Sequence, residues 1–76
     1  MTNTNLLKSK MVAVGDDNYV QCLADLLHIS RTTASKKLYG EKDFTQSEIT
    51  ILTVKYRLSA EDIKNIFVGA EEIESG

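Results

Sequence analysis

Apolar positions recur along this chain with the spacing of amphipathic helices. Leu7, Met11 and Val14 fall at i, i+4 and i+7, which predicts a first helix from about residue 4 to Val14. Gly15 is suited to end that helix, because glycine adopts the left-handed conformation of a helix C-terminus without a steric penalty. No stretch alternates strictly between apolar and polar residues, so the pattern predicts an all-α fold.

A second helix is predicted to begin after Asn18. Asn18 and Gln21 have the three-residue spacing of a capping box, in which each side chain bonds to the backbone of the other at a helix start. Apolar residues at helical spacing are expected to form the inner face of this helix: Val20, Leu23, Ala24 and Leu27. A sharp turn at residues 27–30 is expected to follow.

A third helix is predicted directly after this turn, from residue 31 to about residue 39. Ser30 is a suitable N-cap, because its hydroxyl can accept a hydrogen bond from an unpaired N–H of the first turn. Ala34 and Leu38 are expected to face inward, and Gly40 is expected to end the helix. The small side chain of Ala34 indicates that a neighbouring helix crosses at close range.

Two further capping boxes predict the remaining helices. Thr45–Glu48 is expected to open a fourth helix that ends near Arg57, and Ser59–Asp62 is expected to open a fifth. Their predicted apolar faces are Ile49, Leu52 and Tyr56 in the fourth helix, and Ile63, Ile66 and Phe67 in the fifth. The sequence therefore predicts a compact bundle of five short helices at 1–68, followed by an acidic, flexible tail at 69–76.

The charge of the chain is unevenly distributed. The net charge is −2, but residues 1–58 hold eight cations and six acids and carry +2, whereas residues 59–76 hold one cation and five acids and carry −4. Screening removes interactions beyond about 8 Å at physiological salt, so the local charge decides whether a polyanion is bound. An acidic tail held away from the basic part is therefore compatible with binding of nucleic acid.

Several classes of function find no support in the sequence. A single cysteine and a single histidine supply neither a disulfide nor a metal site, and no nucleophile stands in a motif with a base, so we expect neither an enzyme nor a cofactor. The longest apolar runs are too short for a membrane span or a signal peptide, which favours a cytoplasmic protein. The three tyrosines are expected to pack at the edge of the core: Tyr19, Tyr39 and Tyr56.

The outer face of the third helix carries hydroxyl and cationic side chains. An exposed helix with such groups fits the DNA major groove, where it can contact base edges and phosphates together. The alternative is an ordinary solvated helix face, and the turn before the helix favours the first interpretation. The residues concerned are Arg31, Thr32, Thr33, Ser35, Lys36 and Lys37.

The segment 20–40 resembles the helix-turn-helix of the lambda-repressor-like family, which includes phage repressors and Cro proteins. The matching residues are Leu23, Ala24, Leu27, Ile29, Ser30, Arg31, Thr33 and Gly40. Downstream, the chain is similar to small phage regulators of Gram-positive hosts, on Asp43, Phe44, Thr45, Glu48, Ile49, Leu58, Ser59, Asp62, Ile63, Ile66 and Phe67. The resemblance covers about residues 5–68.

This resemblance implies a sequence-specific transcriptional regulator that acts on double-stranded DNA without a cofactor or a small-molecule substrate. The base contacts that it implies are Arg31, Thr32 and Lys36. The residues that we expect to contact the DNA backbone are Thr33, Ser35, Lys37 and Lys42. Gln21 joins them if it takes over the phosphate contact that the family makes at the start of its second helix; otherwise that contact is lost or is made by the N–H groups there. Such proteins commonly pair two subunits on half-sites about 34 Å apart. The apolar residues that we expect to form the dimer surface are Ile63, Ile66, Phe67, Val68 and Ile73.

Two departures from the family pattern leave an alternative open. His28 stands where the family commonly has a turn glycine, and Val20 stands where it often has a phosphate-binding glutamine. Together with the net acidity, they favour a protein-interaction module of the same fold, such as an antirepressor or an antitoxin-like partner. The short chain favours a Cro-like protein over a full repressor, and an excised N-terminal fragment of a longer protein is the other possibility.

Overall fold

Five helices follow one another in the computed structural model, which describes residues 2–67. They are α1 (Thr4–Val12), α2 (Tyr19–Leu27), α3 (Arg31–Leu38), α4 (Gln46–Tyr56) and α5 (Ala60–Ile66). Extended structure in the described range amounts to one isolated antiparallel bridge between Thr2 and Phe67. The Cα radius of gyration is 11.4 Å, and a compact domain of this length is expected to have about 11 Å. The prediction of an all-α bundle of five short helices is confirmed.

Side-chain caps open four of these five helices. Asn3 accepts a hydrogen bond from the N–H of Leu6 at the start of α1, and Ser30 caps α3. The capping boxes predicted at Thr45–Glu48 and Ser59–Asp62 are both complete, at the starts of α4 and α5. These starts follow from the local sequence, since each cap joins residues only three positions apart.

The predicted capping box of α2 is wrong. Asn18 is the N-cap residue, but its side chain makes no capping hydrogen bond. The Gln21 Nε2 instead donates to the Asp25 Oδ1 at 2.8 Å, one helical turn further along. The side chain that should reach back to the helix start is therefore bonded in the opposite direction.

The first helix ends earlier than the periodicity predicts. The N–H groups of Gly15 and Asp16 turn back to the carbonyls of Val12 and Met11, both at 2.9 Å. Gly15 has φ +87, the left-handed conformation expected for it. Val14 consequently lies beyond the helix and is 54% exposed, so its predicted place on the inner face is wrong.

The core collects apolar residues from all five helices and from the segments that follow α3 and α4. Its buried members are Leu7, Met11, Leu23, Ala24, Leu27, Ala34, Leu38, Phe44, Ile49, Leu52, Tyr56, Leu58, Ile66 and Phe67. The apolar faces predicted for α2 to α5 are thus turned to the core, with Val20 and Ile63 partly buried against it.

The predicted dimer surface is wrong for two of its residues. Ile66 is fully buried within the chain, and Phe67 packs edge-on against Phe44 with 5.4 Å between the ring centres. Because both side chains complete the core of one subunit, they are not available to a second copy. Val68 and Ile73 lie outside the described residues, as does the predicted tail.

Candidate nucleic-acid interface

The turn between α2 and α3 places the two helices against each other. His28 has φ 57 and ψ 46, which is the left-handed conformation that favours glycine. The N–H of Ile29 donates to the Ala24 carbonyl at 3.1 Å, which closes the turn. Ala24 and Ala34 are both buried. Their small side chains let α2 and α3 pack closely, which fixes the direction in which α3 presents its outer face.

Replacing His28 by glycine is expected to raise the free energy of unfolding by about 1 kcal/mol, because a side chain in this conformation places its Cβ too close to the backbone. His28→Ala is the matched control, since it keeps the Cβ and therefore the strain. Urea denaturation of both variants measures the effect. Equal stability of the glycine and alanine variants contradicts the proposed strain.

The outer face of α3 presents the three predicted base-contact residues to solvent. Arg31, Thr32 and Lys36 are exposed, and Ser35 between them is half-buried. Within residues 2–67 neither Arg31 nor Lys36 forms an ion pair with an acidic side chain. Both positive charges are therefore free to meet an external anion or a base edge.

A shallow open groove of about 450 Å³ separates the start of α2 from the outer face of α3. Its lining residues are the N-cap residue Asn18 with Val20 and Gln21 of α2, and Arg31, Thr32 and Ser35 of α3. The fold therefore brings predicted contact residues from two helices to one surface. Asn18 is not among the predicted DNA contacts, because its spacing with Gln21 predicts a helix cap.

The start of α2 offers backbone donors to this groove. The first helical hydrogen bond runs from the N–H of Cys22 to the carbonyl of Asn18 at 2.9 Å, so the N–H groups of residues 19–21 have no helical acceptor. Asn18 does not cap them. Unpaired N–H groups and the positive end of the helix dipole together favour an anion here.

A hydrogen bond to α4 fixes the loop that leads into α2. The buried Tyr56 hydroxyl donates to the Asp16 Oδ2 at 2.8 Å. Burial, and then this carboxylate, raise the pKa of Tyr56, so the phenol stays protonated and keeps donating at neutral pH. The entry into α2 is thereby tied to the core.

The other predicted backbone contacts have different surroundings. The Thr33 Oγ1 accepts a hydrogen bond from the Ser30 Oγ at 3.0 Å, so this hydroxyl takes part in the start of α3. Gln21 lines the groove, although its side-chain amide also bonds to Asp25. Lys42 is exposed in the loop after α3, where its N–H bonds to the Lys36 carbonyl at 3.2 Å.

The prediction that Lys37 lies on the outer face is wrong. Lys37 is only 5% exposed, and its Nζ forms a buried ion pair with the Glu48 Oε1. The same oxygen accepts a hydrogen bond from the Thr45 N–H at 2.8 Å. Lys37 therefore joins α3 to the start of α4 and cannot reach a phosphate.

The electrostatics of Glu48 follow from this pairing. Burial by itself raises the pKa of the carboxyl, but the hydrogen bonds from Lys37 and from the Thr45 backbone outweigh burial, and the pKa is lowered from 4.5. Glu48 is thus ionised at neutral pH and holds the ammonium group of Lys37 in the interior.

Comparison of the chain with protein-family models, with curated proteins and with solved structures finds no match. Within the described residues, no helix has the length and apolarity needed to cross a membrane. The same part of the chain holds no group of three or more histidine, cysteine or carboxylate side chains placed to bind a metal ion. Support for a function therefore comes from the geometry of α2 and α3.

Proposed function

We propose that the chain is a sequence-specific DNA-binding regulator in which α2, the turn and α3 form a helix-turn-helix of the lambda-repressor-like kind. The observation that carries this proposal is the shared groove. Exposed Arg31 and Thr32 on α3 lie beside the uncapped start of α2. Groups able to contact base edges and groups able to bind phosphate thus lie on one surface, as a helix that enters the major groove requires.

The base contacts in this proposal come from the outer face of α3. Arg31 donates two hydrogen bonds to the O6 and N7 of guanine, the commonest specific contact in the major groove. Thr32 contacts a base edge or a thymine methyl group, and Lys36 contacts guanine or a phosphate at the groove edge.

The DNA-backbone contacts surround these residues. The N–H groups at the start of α2 bind one phosphate. They make the contact that a glutamine often makes in the family, at the position where this chain has Val20. Gln21 and Ser35 contribute polar groups to the same groove. Thr33 and Lys42 contact the backbone from the two ends of α3. Lys37 is removed from this set because its charge is buried and paired.

The regulator acts as a phage Cro-like or repressor-type protein that occupies an operator without a cofactor. One short helix in one groove gives limited affinity, so two copies bind two half-sites about 34 Å apart. Sedimentation with and without DNA tests this stoichiometry. Binding of a single copy with full affinity contradicts it.

Selection of duplexes from a random pool tests the proposed function. The expected result is a short recurrent sequence with inverted half-sites, rich in guanine where Arg31 makes contact. Its affinity should fall steeply with salt, with a log–log slope of about −0.9 for each phosphate contacted. Recovery of no recurrent sequence, with no affinity for any duplex at low salt, contradicts the proposal.

The second candidate function is a protein-interaction module that does not bind DNA. The observation that favours it is the acidity near α2, where exposed Asp17 precedes the helix and Asp25 bonds to Gln21. Carboxylates in this position oppose the approach of phosphates. The selection separates the two candidates, because an interaction module with an intact fold enriches no duplex.

A further inference from the structure

Lys8 of α1 lies between two tyrosine rings. Its Nζ is 5.1 Å from the centre of the Tyr19 ring and 4.8 Å from the centre of the Tyr39 ring. Cations are attracted to the face of an aromatic ring within about 6 Å. We call these three residues the Lys8 cluster.

The Lys8 cluster lies next to the groove described above. Tyr19 is the first residue of α2 and stands between Asn18 and Val20, which both line the groove. Tyr39 is the C-cap residue of α3, and its N–H donates to the carbonyl of the groove residue Ser35 at 3.0 Å, so it lies one turn beyond Ser35. The cluster therefore continues the surface that begins at the N-terminus of α3.

Contacts of α1 with α3 and with the core hold Lys8 near the C-terminal end of α3. The Thr4 Oγ1 of α1 donates to the Leu38 carbonyl at 2.7 Å, which joins α1 to the last turn of α3. Leu7, the residue before Lys8, is fully buried. The backbone that carries Lys8 is thus held against the C-terminal end of α3.

The charge of Lys8 is not neutralised by the described part of the chain. Lys10 on the same helix pairs with Asp62 at 3.1 Å, and Lys37 pairs with Glu48, whereas Lys8 has no acidic partner within residues 2–67. Its ring contacts hold the side chain without removing its charge. A cation that is held in place before binding loses less conformational entropy when it binds.

The separation between Lys8 and the base contacts suits a phosphate. The eight steps along the chain from Arg31 to Tyr39 rise about 12 Å at the spacing of an α-helix, and the DNA major groove is about 12 Å wide. With Arg31 at the base edges, α3 is therefore long enough for its far end to reach a phosphate row at the border of the groove. Tyr39 is 52% exposed there, so the cluster is accessible to the duplex.

We propose that the Lys8 cluster is a further DNA-backbone site, in which Lys8 and the hydroxyl groups of Tyr19 and Tyr39 bind a phosphate that flanks the bases contacted by α3. This inference rests on the proposed function and adds a third helix, α1, to the interface. Tyr19 then has a second role beside packing at the edge of the core, and the sequence-based expectation that Tyr39 packs there is wrong because Tyr39 is exposed.

Salt titration of variants on the duplex recovered by selection tests the proposal. Lys8→Met is expected to make the log–log salt slope shallower by about 0.9 for each bound copy of the chain, the value of one phosphate contact. Lys8→Arg is expected to restore the slope. Lys64→Met on α5 is the charge-matched control and should leave the slope unchanged, because Lys64 is exposed on a helix that contributes no groove residue.

A duplex with single neutral methylphosphonates locates the contact. One substitution should weaken binding of the wild-type chain and leave binding of Lys8→Met unchanged. Tyr39→Leu, at an exposed position, should show the same pattern in a chain that folds normally. An unchanged slope in Lys8→Met, with Lys8→Met and Tyr39→Leu both as sensitive to the methylphosphonates as the wild-type chain, overturns the Lys8 site and leaves the proposed function standing, whereas failure of the wild-type chain to bind any duplex overturns both.

Discussion

Replacing Lys37 by methionine is expected to lower the free energy of unfolding by about 3 kcal/mol, because removal of one partner leaves the other charge of a buried ion pair uncompensated. Glu48 would keep its hydrogen bond from the Thr45 N–H but lose the ammonium group that balances its charge. For a domain of this size the melting temperature should fall by more than about 10 °C. Urea denaturation at neutral pH measures the change.

The double variant Lys37→Met, Glu48→Gln is the control for this prediction. Glutamine keeps the capping box of α4 but carries no charge, so the double variant should be more stable than Lys37→Met alone. A double variant that is less stable than the single variant contradicts the account, since it would mean that the Glu48 charge stabilises the fold without Lys37.

The same ion pair predicts the response to acid. The folded pKa of Glu48 is below its ordinary value of 4.5, so its contribution to stability is fully present above that value and is lost as the pH falls through the folded pKa. In Lys37→Met the pKa of Glu48 depends only on burial, which raises it, and on the hydrogen bonds with Thr45, which lower it. The difference in stability between the wild-type chain and Lys37→Met should therefore shrink from about pH 7 to about pH 3. A constant difference contradicts the assignment to Glu48.

Replacing Arg31 and Lys36 together by alanine is expected to weaken binding to the selected duplex about 100-fold. One bidentate arginine–guanine contact contributes about 1–3 kcal/mol, and the loss of Lys36 adds a weaker contact, while 1.4 kcal/mol corresponds to a tenfold change. Both residues are exposed and unpaired within residues 2–67, so stability should change little. Fluorescence anisotropy with a labelled duplex measures the affinity.

Lys55→Ala, Arg57→Ala is the matched control for this double variant. It removes the same charges from exposed positions at the end of α4, away from the groove. Arg57 has φ 52, and alanine keeps the Cβ that this conformation strains, so the backbone environment is unchanged. Equal losses of affinity in the two double variants would show that only net charge matters, which contradicts specific contact by α3.

The sequence predicts most of the fold because its strongest signals are local. Ser30, the Thr45–Glu48 box and the Ser59–Asp62 box each act over three residues, and each opens a helix as predicted. The periodicity of the apolar residues then determines which side of α2 to α5 faces the core. The left-handed turn at His28 does not follow from these local signals, because histidine is not a residue that typically adopts this conformation.

The predictions that are wrong concern side chains that bond to a residue distant in the sequence, or to a residue that competes with the expected one. Lys37 is buried because its ammonium group forms an ion pair with Glu48, which is eleven residues away in the sequence. Lys37 is three positions from the inward-facing Ala34, so helical spacing puts it on the inward side of α3. A lysine is nevertheless expected to be exposed when the neighbouring sequence offers no acidic partner for it. Gln21 bonds to Asp25 instead of Asn18, and the contacts of Lys8 with two rings from other helices have no local signal at all.

The position of bound DNA on the protein tests the central proposal most directly. Backbone amide signals of the labelled chain should be followed by NMR while the selected duplex is added at low salt. The largest changes are expected at residues 18–21 and 31–36, with smaller changes across α5. Changes confined to other helices, or no changes at any duplex concentration, would contradict the binding of DNA by the outer face of α3.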